Sequence, residues 1–180
     1  MTTPETILAF WFEECTPDMW YRQSDDFDAL IENRFRDAYE AACAGALDGW
    51  AETARGSLAL VLLLDQFSRN LFRDDARAYA QDARCREIVD AALERGFDQE
   101  LPEAETAFLY MPLMHSEDLA DQKKCVALFT KVPNSNNLEY AQEHRDVIAR
   151  FGRFPHRNDV LGRASTDEEL AYLAAGGGFA

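Results

Sequence analysis

The sequence lacks the usual signatures of cofactor and nucleophile chemistry. It has no Walker loop, no G-x-S-x-G elbow and no Rossmann glycine fingerprint, so nucleotide-dependent and serine-hydrolase mechanisms have no support. Its four cysteines, Cys15, Cys43, Cys85 and Cys125, stand roughly 30 to 40 residues apart with no C-x-x-C pair. A zinc knuckle or redox dithiol needs closer spacing, so they read as small core residues in a reducing compartment. Histidine is scarce: three residues, all within the last 70 or so. His115 with Asp118, plus His144, is the one combination that could ligate a metal. Neither H-x-x-x-H nor E-x-x-H occurs, and no metal or other cofactor is expected.

Positive charge is also scarce. Lys and Arg number 18 against 33 Asp and Glu, a formal net charge of −15. A chain this acidic lacks the broad basic face that nucleic acids and anionic membranes require, so neither partner is expected. Met1 to Glu14 holds no Lys or Arg, unlike a secretory signal, and the longest apolar run, Leu58 to Leu64, is far short of the ~20 residues of a membrane span. The expected location is the cytoplasm. No segment alternates at period two over a useful length, so no strands are predicted.

What remains is helical periodicity. Thr3-Pro4-Glu5 starts a short apolar helix that ends at Thr16-Pro17-Asp18. Ser24-Asp25-Asp26 starts a second, with Phe27, Ile31, Phe35, Tyr39 and Ala42 on one face. The third, from about Ala51 to Gln66, is apolar on every side over Leu58–Leu64, which marks a helix buried in the middle of the domain. Asp74-Asp75 opens a fourth, running to about Arg95. Pro102-Glu103 opens a fifth, which Pro112 interrupts or kinks, and helix resumes to Phe129. After the turn cluster Pro133–Asn137, Asn136 and Glu139 resemble a capping pair for a helix carrying Val147 and Ile148. Ser165-x-x-Glu168 and Thr166-x-x-Glu169 are overlapping capping boxes before a last helix, Leu170–Ala174. The chain reads as all-α: one domain over residues 1–175, six to eight antiparallel helices with short connections, and a tail at 176–180 that is disordered unless Phe179 docks. No 34-residue repeat is legible.

Three polar clusters interrupt this pattern. Asp65, Gln66, Arg69 and Asn70 follow the apolar run directly. Asp65 is therefore expected to be buried and charge-paired, with Arg69 at i+4. His115 and Glu117 follow Pro112, and His115 and Asp118 share a face if the helix continues. The third cluster, Arg150 to Arg163, holds four arginines, His156 and one aspartate, a charge of +3 against −18 for the rest. It is too rich in glycine, proline and aromatics for a helix and reads as a loop pinned onto something else.

These motifs, Leu62–Asn70, Pro112–Glu117 and Phe151–Asn158 with Leu161-Gly162-Arg163 and Ser165–Glu169, resemble a bacterial family, the domain-of-unknown-function family numbered 924. The likeness covers nearly the whole chain, from Phe10-Trp11-Phe12 to Leu173. It implies an all-helical fold similar to tetratricopeptide-repeat proteins, with stacked helix hairpins in one compact bundle. It implies no activity.

Two functional readings stay open. In one, Asp65, Gln66, Arg69, Asn70, His115, Glu117, His144, Arg153, His156, Arg157, Asn158 and Arg163 meet at one polar centre that binds a small anion, since Arg offers planar bidentate donors for carboxylate or phosphate. In the other, the polar groups only satisfy one another, and the bundle is an adaptor holding a peptide in a groove. Neither reading assigns a reaction, a catalytic residue or an oligomeric state.

Overall fold

The computed structural model describes residues 2–132 and 136–179. Nearly three quarters of the chain is helical, and no strand occurs among the described residues. No described helix is long and apolar enough to cross a membrane. The predicted turn at Pro133, Asn134 and Ser135 lies outside the described residues. The chain divides into two compact units, residues 1–73 with 77–112, and residues 74–76 with 113–180.

The first unit opens with α1, Pro4–Ala9, where the Thr3 hydroxyl accepts from the Thr6 amide, as the Thr-Pro-Glu start predicts. Its last turn widens into a π turn over Phe10–Glu14. α2 is Pro17–Tyr21 and α3 is Asp25–Cys43, the latter capped by Ser24. α4, Ala54–Val61, passes through a second π turn, Leu62–Phe67, into α5, Ser68–Leu71. Every residue from Leu58 to Leu64 is 0% exposed, as the all-round apolar run requires. α1 and the next helix, α6 (Asp82–Glu94), both pack on α4. Phe10, Trp11, Phe35 and Phe67 form an aromatic cluster with centroids 4.8 to 5.9 Å apart, and the Trp20 indole N–H donates to the Trp11 carbonyl at 3.0 Å.

Two expected helix boundaries need correction. α6 starts at Asp82, not at Asp74-Asp75. Asp74 takes a left-handed conformation (φ 59°) that stops helix propagation, and a short 3-10 turn, Ala76–Tyr79, comes before α6. α7, Glu103–Met114, runs through Pro112 and ends two residues later. His115 and Asp118 therefore share no helical face. Asp118 instead caps α8, Leu119–Phe129, accepting from the Ala120 amide at 2.7 Å.

In the second unit α8 packs against α9, Asn137–Phe151. Asn136 stands at the start of α9, but its side chain makes no capping hydrogen bond, so the expected Asn136–Glu139 pair does not form. Gly152, at φ 70°, ends α9 in the left-handed conformation that glycine adopts without penalty. The chain then crosses as a loop, with one 3-10 turn at Pro155–Arg157, to α10, Asp167–Ala174. Thr166 and Glu169 form the predicted reciprocal cap. The core of this unit is Val147, Ile148 and Phe154, with Leu119, Phe151, Tyr172 and Phe179 packed against it.

Candidate functional site

The first polar cluster sits in the π turn that interrupts the buried helix. Asp65 is 0% exposed, and as predicted it is charge-paired: Arg69 Nη2 reaches Oδ1 at 3.4 Å, and Gln66 Nε2 donates to Oδ2 at 2.6 Å. Arg69 also holds Asp82 through two hydrogen bonds of 2.9 and 3.1 Å, donates to the Ala78 carbonyl and lies over the Tyr79 ring. One guanidinium thus faces two carboxylates, which leaves no net positive charge there to attract an anion. Asn70 does not join this group. It donates to Asp28 at 2.7 Å, beside the bidentate Arg73–Asp28 pair. The predicted polar edge is two clusters, both in the first unit.

In the second unit, the second and third motifs meet. Glu117 accepts from Arg163 Nη1 at 2.7 Å and Nη2 at 2.9 Å, and from the Phe154 amide at 2.8 Å. Burial pushes the Glu117 carboxyl up, but Arg163, the Phe154 amide and Arg157 together hold it below the ordinary carboxylate range. Arg163 Nε also donates to Asn158 Oδ1 at 3.0 Å. Arg153 closes on Glu169 through Nε–Oε1 at 2.6 Å and Nη2–Oε2 at 2.7 Å. Asn158 donates to Ser165 and Glu169. Hydrogen bonding from Arg153, then from the Thr166 amide, holds the Glu169 carboxyl down at about 2.

All three histidines belong to this unit. Arg157, buried, donates from Nη1 to the His115 carbonyl at 3.0 Å and lies 4.5 Å over the Phe154 ring. His144 is buried on α9, with Nδ1 2.7 Å from the Tyr140 carbonyl. Burial, then the charges of His115 and Arg157, lower its pKa to about 3. Burial and Arg157 lower that of His156 to about 4, against the opposing pull of Glu117. Both imidazoles are neutral at physiological pH, each with a nitrogen lone pair. Phe179 stacks on His144 with centroids 3.5 Å apart. Among the described residues no group of three or more His, Cys, Asp or Glu is arranged to hold a metal ion.

Sequence reasoning missed Glu169, Phe154 and Phe179 as parts of this centre. Glu169 was visible only as a capping glutamate. The signal for a second role was its place directly after an arginine-rich loop that needed an acid. Phe179 was recognised only as a residue able to dock.

An all-helical chain with a self-paired arginine loop closing on its last helices defines the class. The sequence matches the family described as "Bacterial protein of unknown function (DUF924)" over residues 7–177, and the chain belongs to that family. Its fold is similar to that of a protein of unknown function, ATU0120 from Agrobacterium tumefaciens, at a TM-score of 0.91 and 45% identity, covering 96% of this chain and 97% of that one. No curated protein matches the sequence.

Proposed function

We propose that the protein binds a small anionic molecule at the histidine–arginine centre of its second unit. The observation that supports this reading is the convergence of His115, His144 and His156 with Arg157 in a chain of net charge −15. The salt-bridged residues take a different part in it. Arg153, Arg163, Glu117, Glu169 and Asn158 are the frame that holds the loop, and Asp65, Gln66, Arg69 and Asn70 stabilise the first unit. An anion entering the centre would meet Arg157 and two uncharged imidazoles, and it would favour their protonated forms. Binding should therefore take up protons and strengthen as pH falls from 7 towards 5.

The peptide-adaptor reading has less behind it. Two shallow depressions flank α3 in the first unit, but both mix polar and charged groups such as Thr6, Asp37, Asp18 and Arg22 with apolar ones such as Ala38 and Met19. Tetratricopeptide-like stacking is likewise part of this reading only. The free thiols of all four cysteines accord with a cytoplasmic location.

Thermal melting against a panel of phosphate, acetate, citrate and divalent metals tests the reading. A ligand at a hundred times its dissociation constant stabilises by about 2.7 kcal/mol. An anion should raise the melting temperature of the wild type, and by less in Arg157→Met. If no anion shifts the wild type, the proposal is wrong.

A further inference from the structure

Three rings surround Phe179. The His144 ring lies parallel to it, 3.5 Å away with 13° between planes. Phe154 and His156 stand nearly perpendicular to it, each 5.9 Å away at 88° and 86°. Phe154 is 0% exposed and is backed by the Arg157 guanidinium on its own face. These rings form a box shaped for one flat six-membered ring. Phe179 is only partly buried, so the box opens to solvent.

The occupant and its walls are chemically mismatched. His156 Nδ1 is buried with no hydrogen-bond partner among the described residues. It lies 3.8 Å from where a Cβ on Gly178 would stand, so the segment that carries Phe179 covers it and offers it no hydrogen bond. A buried polar atom left unsatisfied costs about 1–3 kcal/mol, so a ring carrying a polar substituent fits the box better than Phe179 does. The Arg157 guanidinium, 4.5 Å over the Phe154 ring, puts positive charge beside the box, and this favours a negatively charged substituent.

The segment that delivers Phe179 is a strap of three glycines. Gly178 has a φ of 120°, and a Cβ there would stand 3.2 Å from the His156 Cβ. Two amide hydrogen bonds tether the strap to Tyr172: Gly177 to its carbonyl at 3.0 Å and Gly178 to its hydroxyl at 3.1 Å. Few interactions need to break for it to lift.

We propose that the box formed by His144, Phe154 and His156 is a binding site for a planar aromatic carboxylate, and that Phe179 occupies it as a displaceable internal ligand. This rests on the reading of the same centre as an anion site. The carboxylate accepts from His156 in its Nδ1–H tautomer, and the ring takes the place of Phe179 against His144.

The test is titration calorimetry of the full chain with benzoate, 4-hydroxybenzoate, cyclohexanecarboxylate and phosphate, in the wild type and in Phe179→Ala and Phe179→Leu. With the internal competitor removed, benzoate should bind at least tenfold tighter to Phe179→Ala than to wild type, and cyclohexanecarboxylate, which is not flat, at least tenfold more weakly than benzoate. Phe179→Leu keeps apolar bulk without a ring to stack. It should also bind benzoate more tightly than wild type, so it carries the test if Phe179→Ala fails to fold. Benzoate binding that is unchanged in the folded variants overturns the proposal, as does benzoate binding no better than cyclohexanecarboxylate. If phosphate binds and benzoate does not, the aromatic site is wrong and the anion reading stands. If neither binds, the aromatic site is wrong, and the anion reading falls with it when acetate and citrate also leave the melting temperature unchanged.

Discussion

Arg153 and Glu169 are joined by two hydrogen bonds, 2.6 and 2.7 Å, across 16 residues that include the whole charged loop from Phe154 to Arg163. The arginine is part-exposed and the glutamate almost wholly buried, with side-chain exposures of 27% and 3%. The pair is a clasp, and its buried half also receives the Thr166 amide and Asn158. Glu169→Ala should therefore destabilise more than Arg153→Ala, because it removes the shared acceptor and leaves several donors without it. Urea midpoints of the two variants decide the order. Equal midpoints would show that the shared acceptor adds nothing beyond the ion pair.

Glu117 holds the other end of the loop through Arg163 and the Phe154 amide. Glu117→Ala strands a guanidinium and a backbone donor together, and should cost about 2 kcal/mol, within the range for hydrogen bonds to charged groups. Glu117→Gln keeps an acceptor and should recover part of this. Chemical denaturation of both variants is the check, and a Gln variant no more stable than the Ala variant would assign the effect to charge alone.

Asp65 shares Arg69 with Asp82, so Asp65→Ala leaves the guanidinium still paired. The expected loss is about 3 kcal/mol, the low end for breaking a buried pair. Arg69→Met should cost more, because it removes the positive charge that both carboxylates share. A loss under about 0.5 kcal/mol for Asp65→Ala, typical of surface sites, would contradict its burial.

Stability should fall on acidification in two stages. The unfolded chain protonates histidine near 6.5, whereas the folded state keeps His156 and His144 neutral to about 4 and about 3. Below pH 6.5 the unfolded state therefore binds more protons, and stability is lost by about 1.4 kcal/mol per pH unit from His144, with a smaller share from half-buried His156. Glu169, at about 2 in the folded state, contributes stability that is present above its unfolded value of 4.5 and lost as pH falls towards 2. Urea midpoints from pH 7 to 3 should show the first stage flatten in His144→Phe. An unchanged slope in that variant would show that His144 is protonated in the folded protein.

Much of the architecture was legible because helix formation follows local rules. The seven-residue apolar run predicted a fully buried helix, and a carboxylate placed directly after it had to be paired. The Thr166–Glu169 cap could be read from four residues. The misplaced boundaries are at positions where one residue's conformation overrides a pattern. Asp74 turns left-handed and delays α6, and α7 continues for two residues past Pro112 before it ends.

The sequence by itself determined the helical class, the burial of Leu58–Leu64, the pairing of Asp65 and the loop character of residues 152–163. Each follows from periodicity, burial cost or backbone chemistry within a short window. Tertiary structure alone decided which acid meets which arginine and where Phe179 lies. Glu117 and Arg163 are 46 residues apart in sequence, and any of several carboxylates offers the same charge. Charge complementarity has no address in sequence. Only the packing of α8, α9 and α10 brings one acid within 3 Å of one base, and the chain reaches back to stack Phe179 on His144 through left-handed turns at Gly176 and Gly178.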